Sequence, residues 1–120
     1  MIKVGTDIVT ISRIEKSLDT FGECFKAKFL NPSEMTLAQK PERIAGFWAA
    51  KEAISKAIGC GIGKELSFHD ITIAKDAKGS PYFTLSQNAQ KIHAIDSSSL
   101  SISHDGGFAI AVAVVVLGIL

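Results

Sequence analysis

Apolar and polar positions separate at helical spacing over residues 47–59. At about 100° per residue, Phe47, Ala50, Ala53, Ile54, Ala57 and Ile58 share one face, and Lys51, Glu52, Ser55, Lys56 and Gly59 share the other. Pro41 suits a first helical turn, so the pattern predicts a long helix from near Glu42 to Ile58, closed by the run Gly59-Cys60-Gly61-Ile62-Gly63. Upstream, residues 2–6 read as a short strand that delivers Asp7 at its end. Ile11, Ile14, Leu18 and Phe21 then mark the inner stripe of a helix that Gly22 stops, with Ser12 and Glu15 spaced as a capping box. Phe25 and Phe29 suggest a short helix ending before Asn31-Pro32, and Ser33 can cap another that runs through Ala38.

Beyond the glycine cluster the period becomes strand-like. Residues 71–74 and 82–85 form a predicted hairpin around Asp76-Ala77-Lys78-Gly79-Ser80-Pro81. Residues 86–95 suggest a short helix with Ala89, Ile92 and His93 inward, followed by a loop at Ser97-Ser98-Ser99. Residues 100–103 and 108–117 then make a last pair of strands around His104-Asp105-Gly106-Gly107. The expected architecture is an α+β domain, residues 1–120, with helices concentrated in the first half and a mostly antiparallel sheet in the second.

Length and composition narrow this picture. A chain of 120 residues is one domain with a modest core, and an apolar fraction of 47% is high enough to suggest that a subunit interface hides part of the surface. A net charge of +1 removes any global electrostatic argument for nucleic acid. Cys24 and Cys60 form no CxxC and come with no signal peptide, which points to reduced thiols in a cytoplasmic protein. The apolar run 108–120 falls short of the roughly 20 residues of a membrane-spanning helix. It reads as a central strand covered on both faces.

The polar face of the long helix carries the candidate chemistry. A solvated stripe, with Glu52 and Lys56 as an i,i+4 ion pair, and a ligand-facing wall both fit its residues. Trp48 lies in the middle of that face, where a plain solvated helix rarely places an indole; a subunit contact would account for it. Asp7 is either a turn cap or a strand-end carboxylate placed for chemistry. The three histidines share no metal-ligand spacing, and only His104, at a hairpin mouth beside Asp105, stands out by position.

Taken together, Val4-Gly5-Thr6-Asp7-Ile8, the segment from Phe47-Trp48-Ala49-Ala50-Lys51-Glu52-Ala53 to Ile54-Ser55-Lys56-Ala57, and Ser101-Ile102-Ser103-His104 resemble the holo-acyl-carrier-protein synthases, the small bacterial phosphopantetheinyl transferases. The resemblance spans essentially the whole chain. It implies that the 4′-phosphopantetheine of coenzyme A is transferred to a serine of apo acyl carrier protein with release of 3′,5′-adenosine diphosphate, in fatty-acid synthesis. It also implies Mg²⁺ and a homotrimer with the site between two subunits. By motif, Asp7 and Glu52 would hold the metal, Lys56 would face the phosphates, and Ser55 and Gly59 would line the coenzyme. Gly79 and Pro81 would form the adenine-side turn, His104 would lie near the phosphate end, and Arg13 would meet an acidic carrier protein.

Elementary chemistry agrees with that transfer. Mg²⁺ is typically held by one or two carboxylates plus substrate phosphates. Phosphoryl transfer asks mainly for positioning and charge neutralisation, which Lys56, with Lys51 as a second candidate, could supply. Glu52, directly or through a metal-bound water, would take the proton of the carrier serine. Two departures stand out. Many relatives carry Arg before the aromatic-Ala-Ala-Lys-Glu segment, where this chain has Gly46-Phe47, leaving Arg43 or Lys40 to compensate. Lys78 replaces an Asn found in some relatives. Two other functions fit the same residues: a non-catalytic module that holds coenzyme A or a nucleotide, and a transferase serving a peptidyl or polyketide carrier.

Overall fold

A computed structural model of the chain describes residues 1–118. In chain order it runs β1 (Ile2–Thr10), α1 (Ile11–Phe21), α2 (Glu23–Phe29), α3 (Pro32–Leu37), α4 (Pro41–Ile58), a 3₁₀ turn (Phe68–Asp70), β2 (Ile71–Lys75), β3 (Pro81–Leu85), α5 (Gln87–His93), β4 (Ile95–Asp105) and β5 (Phe108–Leu117). Strands pair antiparallel throughout, as a sheet ordered β1-β5-β4 and a separate β2-β3 hairpin. The expected α+β architecture is therefore present, with four of its helices preceding β2.

The core is the seam between α4 and the larger sheet. On β5 every inward position up to Ala113 is alanine: Ala109, Ala111 and Ala113 are buried beneath α4, whose Ala50, Ala53 and Ala57 are buried in turn. Small residues on both surfaces let helix and sheet approach closely. Outward positions of the same strands, Ile2, Val4, Ile8, Phe108, Ile110 and Val112, are exposed. Among the described residues of a single chain, β5 is covered by α4 on one face and exposed on the other, where the sequence pattern leads one to expect cover on both. The last two residues of the apolar run 108–120 lie outside the described residues.

Several boundaries move for identifiable reasons. Strand β1 continues past Thr6 because its ladder with β5 runs unbroken to Thr10 opposite Phe108, so Asp7 lies within the strand rather than at its end. Ser12 and Glu15 form no capping box: helix α1 begins directly off the strand at Ile11, leaving Ser12 inside its first turn. Asn31, not Ser33, caps α3, because Glu34 reaches back to complete a capping box with it. Ser97, Ser98 and Ser99 are strand rather than loop, paired with Val116, Val115 and Val114 after a bulge at the start of β4. Ile92 is exposed, while His93 turns its ring to the Glu65 carbonyl at 3.0 Å.

The largest departure concerns Lys51, which is buried in the core instead of lying on a solvent-facing stripe. Its ammonium donates to Glu34 Oε1 at 2.8 Å and to the carbonyls of Phe29 at 2.6 Å and Phe68 at 3.1 Å. Glu34, also buried, accepts from Asn31 N at 2.6 Å and Ile73 N at 2.7 Å. Desolvation pulls the Lys51 pKa down while the Glu34 carboxylate opposes it. One fully satisfied ion pair therefore ties α2, α3, α4, the 3₁₀ turn and β2 together. Trp48, three residues before Lys51 on α4, stacks on Phe25 at 5.9 Å and meets Phe29 and Phe68 at 5.1 Å each, so its neighbours are within the chain.

Breaking the pair from one side leaves a buried, uncompensated charge. Lys51→Met is expected to cost about 3–5 kcal/mol of unfolding free energy in urea denaturation. A loss below about 1 kcal/mol would show that the pair does not hold these elements together.

Candidate active site

Gly5 fixes the geometry of the site. A Cβ there would fall on the Ala53 carbonyl oxygen and 2.5 Å from Ala57 N, so strand β1 and helix α4 touch backbone to backbone only because position 5 is glycine. Two residues further along the same strand face, Asp7 arrives beside the next turn of α4. Lys56 Nζ meets Asp7 Oδ1 at 3.0 Å and the Thr6 carbonyl at 3.1 Å. The expected Glu52–Lys56 pair is thereby replaced by an Asp7–Lys56 pair across two elements. Glu52, half-buried and close to Asp7, has its pKa raised first by burial and then by the Asp7 carboxylate, with Lys56 opposing.

The other helix positions serve different ends. Ser55 is fully buried, and its hydroxyl donates to the Glu52 carbonyl at 2.7 Å. Gly59 ends α4 in the left-handed region at φ 102°, donating its N–H to the Ser55 carbonyl at 3.0 Å. Arg13 is exposed on α1 at the rim of a small cleft shared with Val9, Ile14, Ser17, Phe25 and Trp48.

Gly79, Pro81 and His104 come together on the other flank of α4. They line a cleft of about 200 Å³ with Glu42, Arg43, Gly46, Phe47, Lys75 and Ile102. Gly46 matters here because a Cβ on it would press on the Ile102 side chain at 2.8 Å, so glycine lets α4 lie against β4. Phe47, at the position of the missing arginine, is buried. The turn carrying Gly79 is set by Asp76, whose carboxylate accepts from the N–H groups of Lys78 and Ser80 at 2.9 Å each.

The sequence-predicted residues thus divide into two groups: Asp7, Glu52 and Lys56 where α4 meets β1, and Gly79, Pro81 and His104 where α4 meets β4 and the β2-β3 hairpin. Among the described residues no three or more His, Cys, Asp or Glu side chains gather as a metal-ligand cluster. Two carboxylates with a lysine nevertheless fit Mg²⁺, which takes few protein ligands when phosphates supply the rest. Sequence reasoning gave no role to Gly5 or Lys75. An isolated glycine in a strand pattern is itself a signal of close backbone approach, whereas Lys75 reaches the cleft only through the hairpin's fold.

Residues 3–113 match the family model of the 4′-phosphopantetheinyl transferase superfamily. A holo-[acyl-carrier-protein] synthase from Sulfurovum is 61% identical over 114 residues, 95% of this chain and 96% of that protein. The chain belongs to this family of phosphopantetheinyl transferases. Solved holo-[acyl-carrier-protein] synthases share the fold. The Helicobacter pylori enzyme, in complex with coenzyme A, is 54% identical with a TM-score of 0.92, covering 94% of this chain and 99% of that one. That of Bacillus anthracis, in complex with CoA (3′,5′-ADP), is 39% identical with a TM-score of 0.81, covering 97% and 96%. No helix among the described residues is long and apolar enough to cross a membrane.

The raised Glu52 carboxyl gives a metal-free signature. Its folded value lies above the unfolded one, so its contribution to stability is fully present below the reference value of 4.5 and is lost as pH rises through the folded value. Without metal, Glu52→Gln is therefore expected to melt higher than the parent at pH 7. Adding MgCl₂ should raise the parent's melting temperature and leave the variant's unchanged. A variant that melts lower without metal, or gains equally from Mg²⁺, would contradict the assignment.

Proposed function

We propose that this protein transfers the 4′-phosphopantetheine of coenzyme A to a serine of apo acyl carrier protein in fatty-acid synthesis, releasing adenosine 3′,5′-bisphosphate. The observation that carries the reading is the convergence of Asp7, Glu52 and Lys56 at the α4–β1 crossing, in a chain closely related to coenzyme-A-bound synthases.

Asp7 and Glu52 would hold Mg²⁺, which neutralises pyrophosphate charge when bound. Lys56, half-exposed and extended over Asp7, adds a positive charge where the departing phosphate collects electrons. Glu52 accepts the proton of the carrier serine; its raised pKa makes it a better base than an ordinary carboxylate. The serine oxygen bonds to the phosphorus that bears pantetheine, and the bond from that phosphorus to the oxygen bridging to the 5′-phosphate breaks. The leaving group is the bisphosphate. Arg13, exposed on α1 beside the Val9–Trp48 cleft, faces an acidic carrier helix.

Gly79, Pro81 and His104 hold the adenosine end, yet they lie on the opposite flank of α4 from Asp7. A ligand touching both groups therefore spans two copies of the chain. The exposed apolar face of the sheet, Ile2, Val4 and Ile8 on β1 with Ile110 and Val112 on β5, supplies the surface for such copies to associate as a homotrimer. A cytoplasmic setting follows from the substrates.

Purified protein incubated with coenzyme A, Mg²⁺ and folded apo acyl carrier protein is expected to add phosphopantetheine to the carrier, read as a mass increase. Asp7→Ala and Glu52→Ala should each lower the rate roughly 10²-fold or more with the far-UV spectrum unchanged. An unmodified carrier at every divalent metal supplied, or normal rates in either variant, would overturn the reading.

A further inference from the structure

Lys3 is a cation without an ionic partner on the working face of β1. Covered and exposed positions alternate along that strand, so Lys3 shares with Gly5 and Asp7 the face turned to α4. Its side chain is half-buried and ends at the C-terminal end of the helix, where Nζ lies 3.1 Å from the point that a Cβ on Gly59 would occupy. Glycine at position 59, which closes α4 with φ 102°, thereby also leaves the room in which the ammonium sits. Lys3 makes no ion pair with any described residue, whereas Lys56, on the same α4–β1 seam, is held by Asp7. An unpaired ammonium on a seam that carries the candidate chemistry is available to an anion arriving from outside.

Accepting the transferase reading, the charges at the α4–β1 crossing do not balance without this lysine. A pyrophosphate diester brings two negative charges, and Asp7 with Glu52 brings two more. A divalent cation and Lys56 answer three of the four. The remaining charge grows at the 5′-phosphate as the adenosine bisphosphate departs. Gly59 follows Lys56 by three residues, about 5 Å along the helix axis, so the Lys3 ammonium rests roughly one turn beyond the lysine that faces the phosphates. We propose that Lys3 moves from this resting place onto the 5′-phosphate of the leaving adenosine bisphosphate, as a second phosphate-binding lysine of the site. The flexible four-carbon stem of lysine permits the movement, and no ion pair has to break first. A lysine at a helix C-terminus can also interact favourably with the helix dipole. That role would stabilise the chain with no ligand present, which separates the two by experiment.

The test titrates 3′,5′-ADP and 5′-AMP by calorimetry, in MgCl₂, into the parent, Lys3→Met and Lys3→Arg. Lys3→Met should weaken both nucleotides by the same factor, roughly 3- to 10-fold at low salt, and the difference should close at high ionic strength. Lys3→Arg should bind like the parent. In steady-state transfer, kcat/KM for coenzyme A should fall in Lys3→Met by at least the same factor, while the melting temperature without ligand stays at the parent's value. Unchanged nucleotide affinity in Lys3→Met, or a loss confined to the bisphosphate, would overturn the assignment. A lower ligand-free melting temperature with unchanged affinity would also overturn it, leaving Lys3 as a helix-end residue only. Failure of the parent to modify any carrier would count against the transferase reading, while unchanged nucleotide affinity in Lys3→Met would count against Lys3 alone.

Discussion

A backbone contact between a strand and a helix organises the molecule. Gly5 on β1 presses against Ala53 and Ala57 of α4, and no other residue type fits between them. The spacing of everything else on the two elements follows from that crossing. Asp7, two residues on, must meet the turn of α4 that carries Glu52 and Lys56, and the alanine rows of β5 and α4 keep the helix low enough for the contact to persist. The site is therefore set by a small-residue seam in the core, and its charged groups sit where backbone geometry puts them. Rigid elements hold such groups more accurately than loops do.

The second constraint is electrostatic. Lys51 and Glu52 are neighbours in sequence with opposite fates: Lys51 points into the core to pair with Glu34, and Glu52 points toward Asp7. Because the Lys51 ammonium finds three acceptors and the Glu34 carboxylate finds two backbone donors as well, the pair fixes the rotation of α4 about its own axis. That rotation decides which side of the helix looks at β1 and which looks at β4. On the proposed reading each flank contributes half of a site, and the exposed apolar face of the sheet is the surface through which copies would meet.

Much of this was legible in the chain. The helical period over residues 41–58 gave α4 almost to the residue, and the strand period gave the β2-β3 hairpin. The grouping of Asp7, Glu52 and Lys56 was suggested by the family resemblance of their two motifs, and the structure brings the three side chains to one crossing. Lys51 was misread because a helical wheel assigns sides by polarity, and polarity says nothing about a partner such as Glu34 seventeen residues away; the same wheel put the buried Ser55 on the solvent-facing stripe. Trp48 was misread as outward-facing for the same reason: Phe25 and Phe29 come to it from α2 and Phe68 from the 3₁₀ turn. The serine run at 97–99 carries no strand signal of its own and is held extended by pairing with the valines of β5. The basic character of the β4-side cleft depended on folding that joins α4, the hairpin and β4.

Two flanks of one helix acting in different copies is the central claim, and mixing two crippled proteins tests it directly. Asp7→Ala leaves the Arg43 cleft intact, and the charge reversals Arg43→Glu with Lys75→Glu leave the carboxylate pair intact. Each protein alone should transfer little phosphopantetheine. After subunits exchange in an equimolar mixture, about one quarter of the sites combine two intact halves, and transfer should recover toward that fraction of the parent's rate. A mixture no more active than its components, with exchange verified by mass spectrometry, would contradict a site shared between copies.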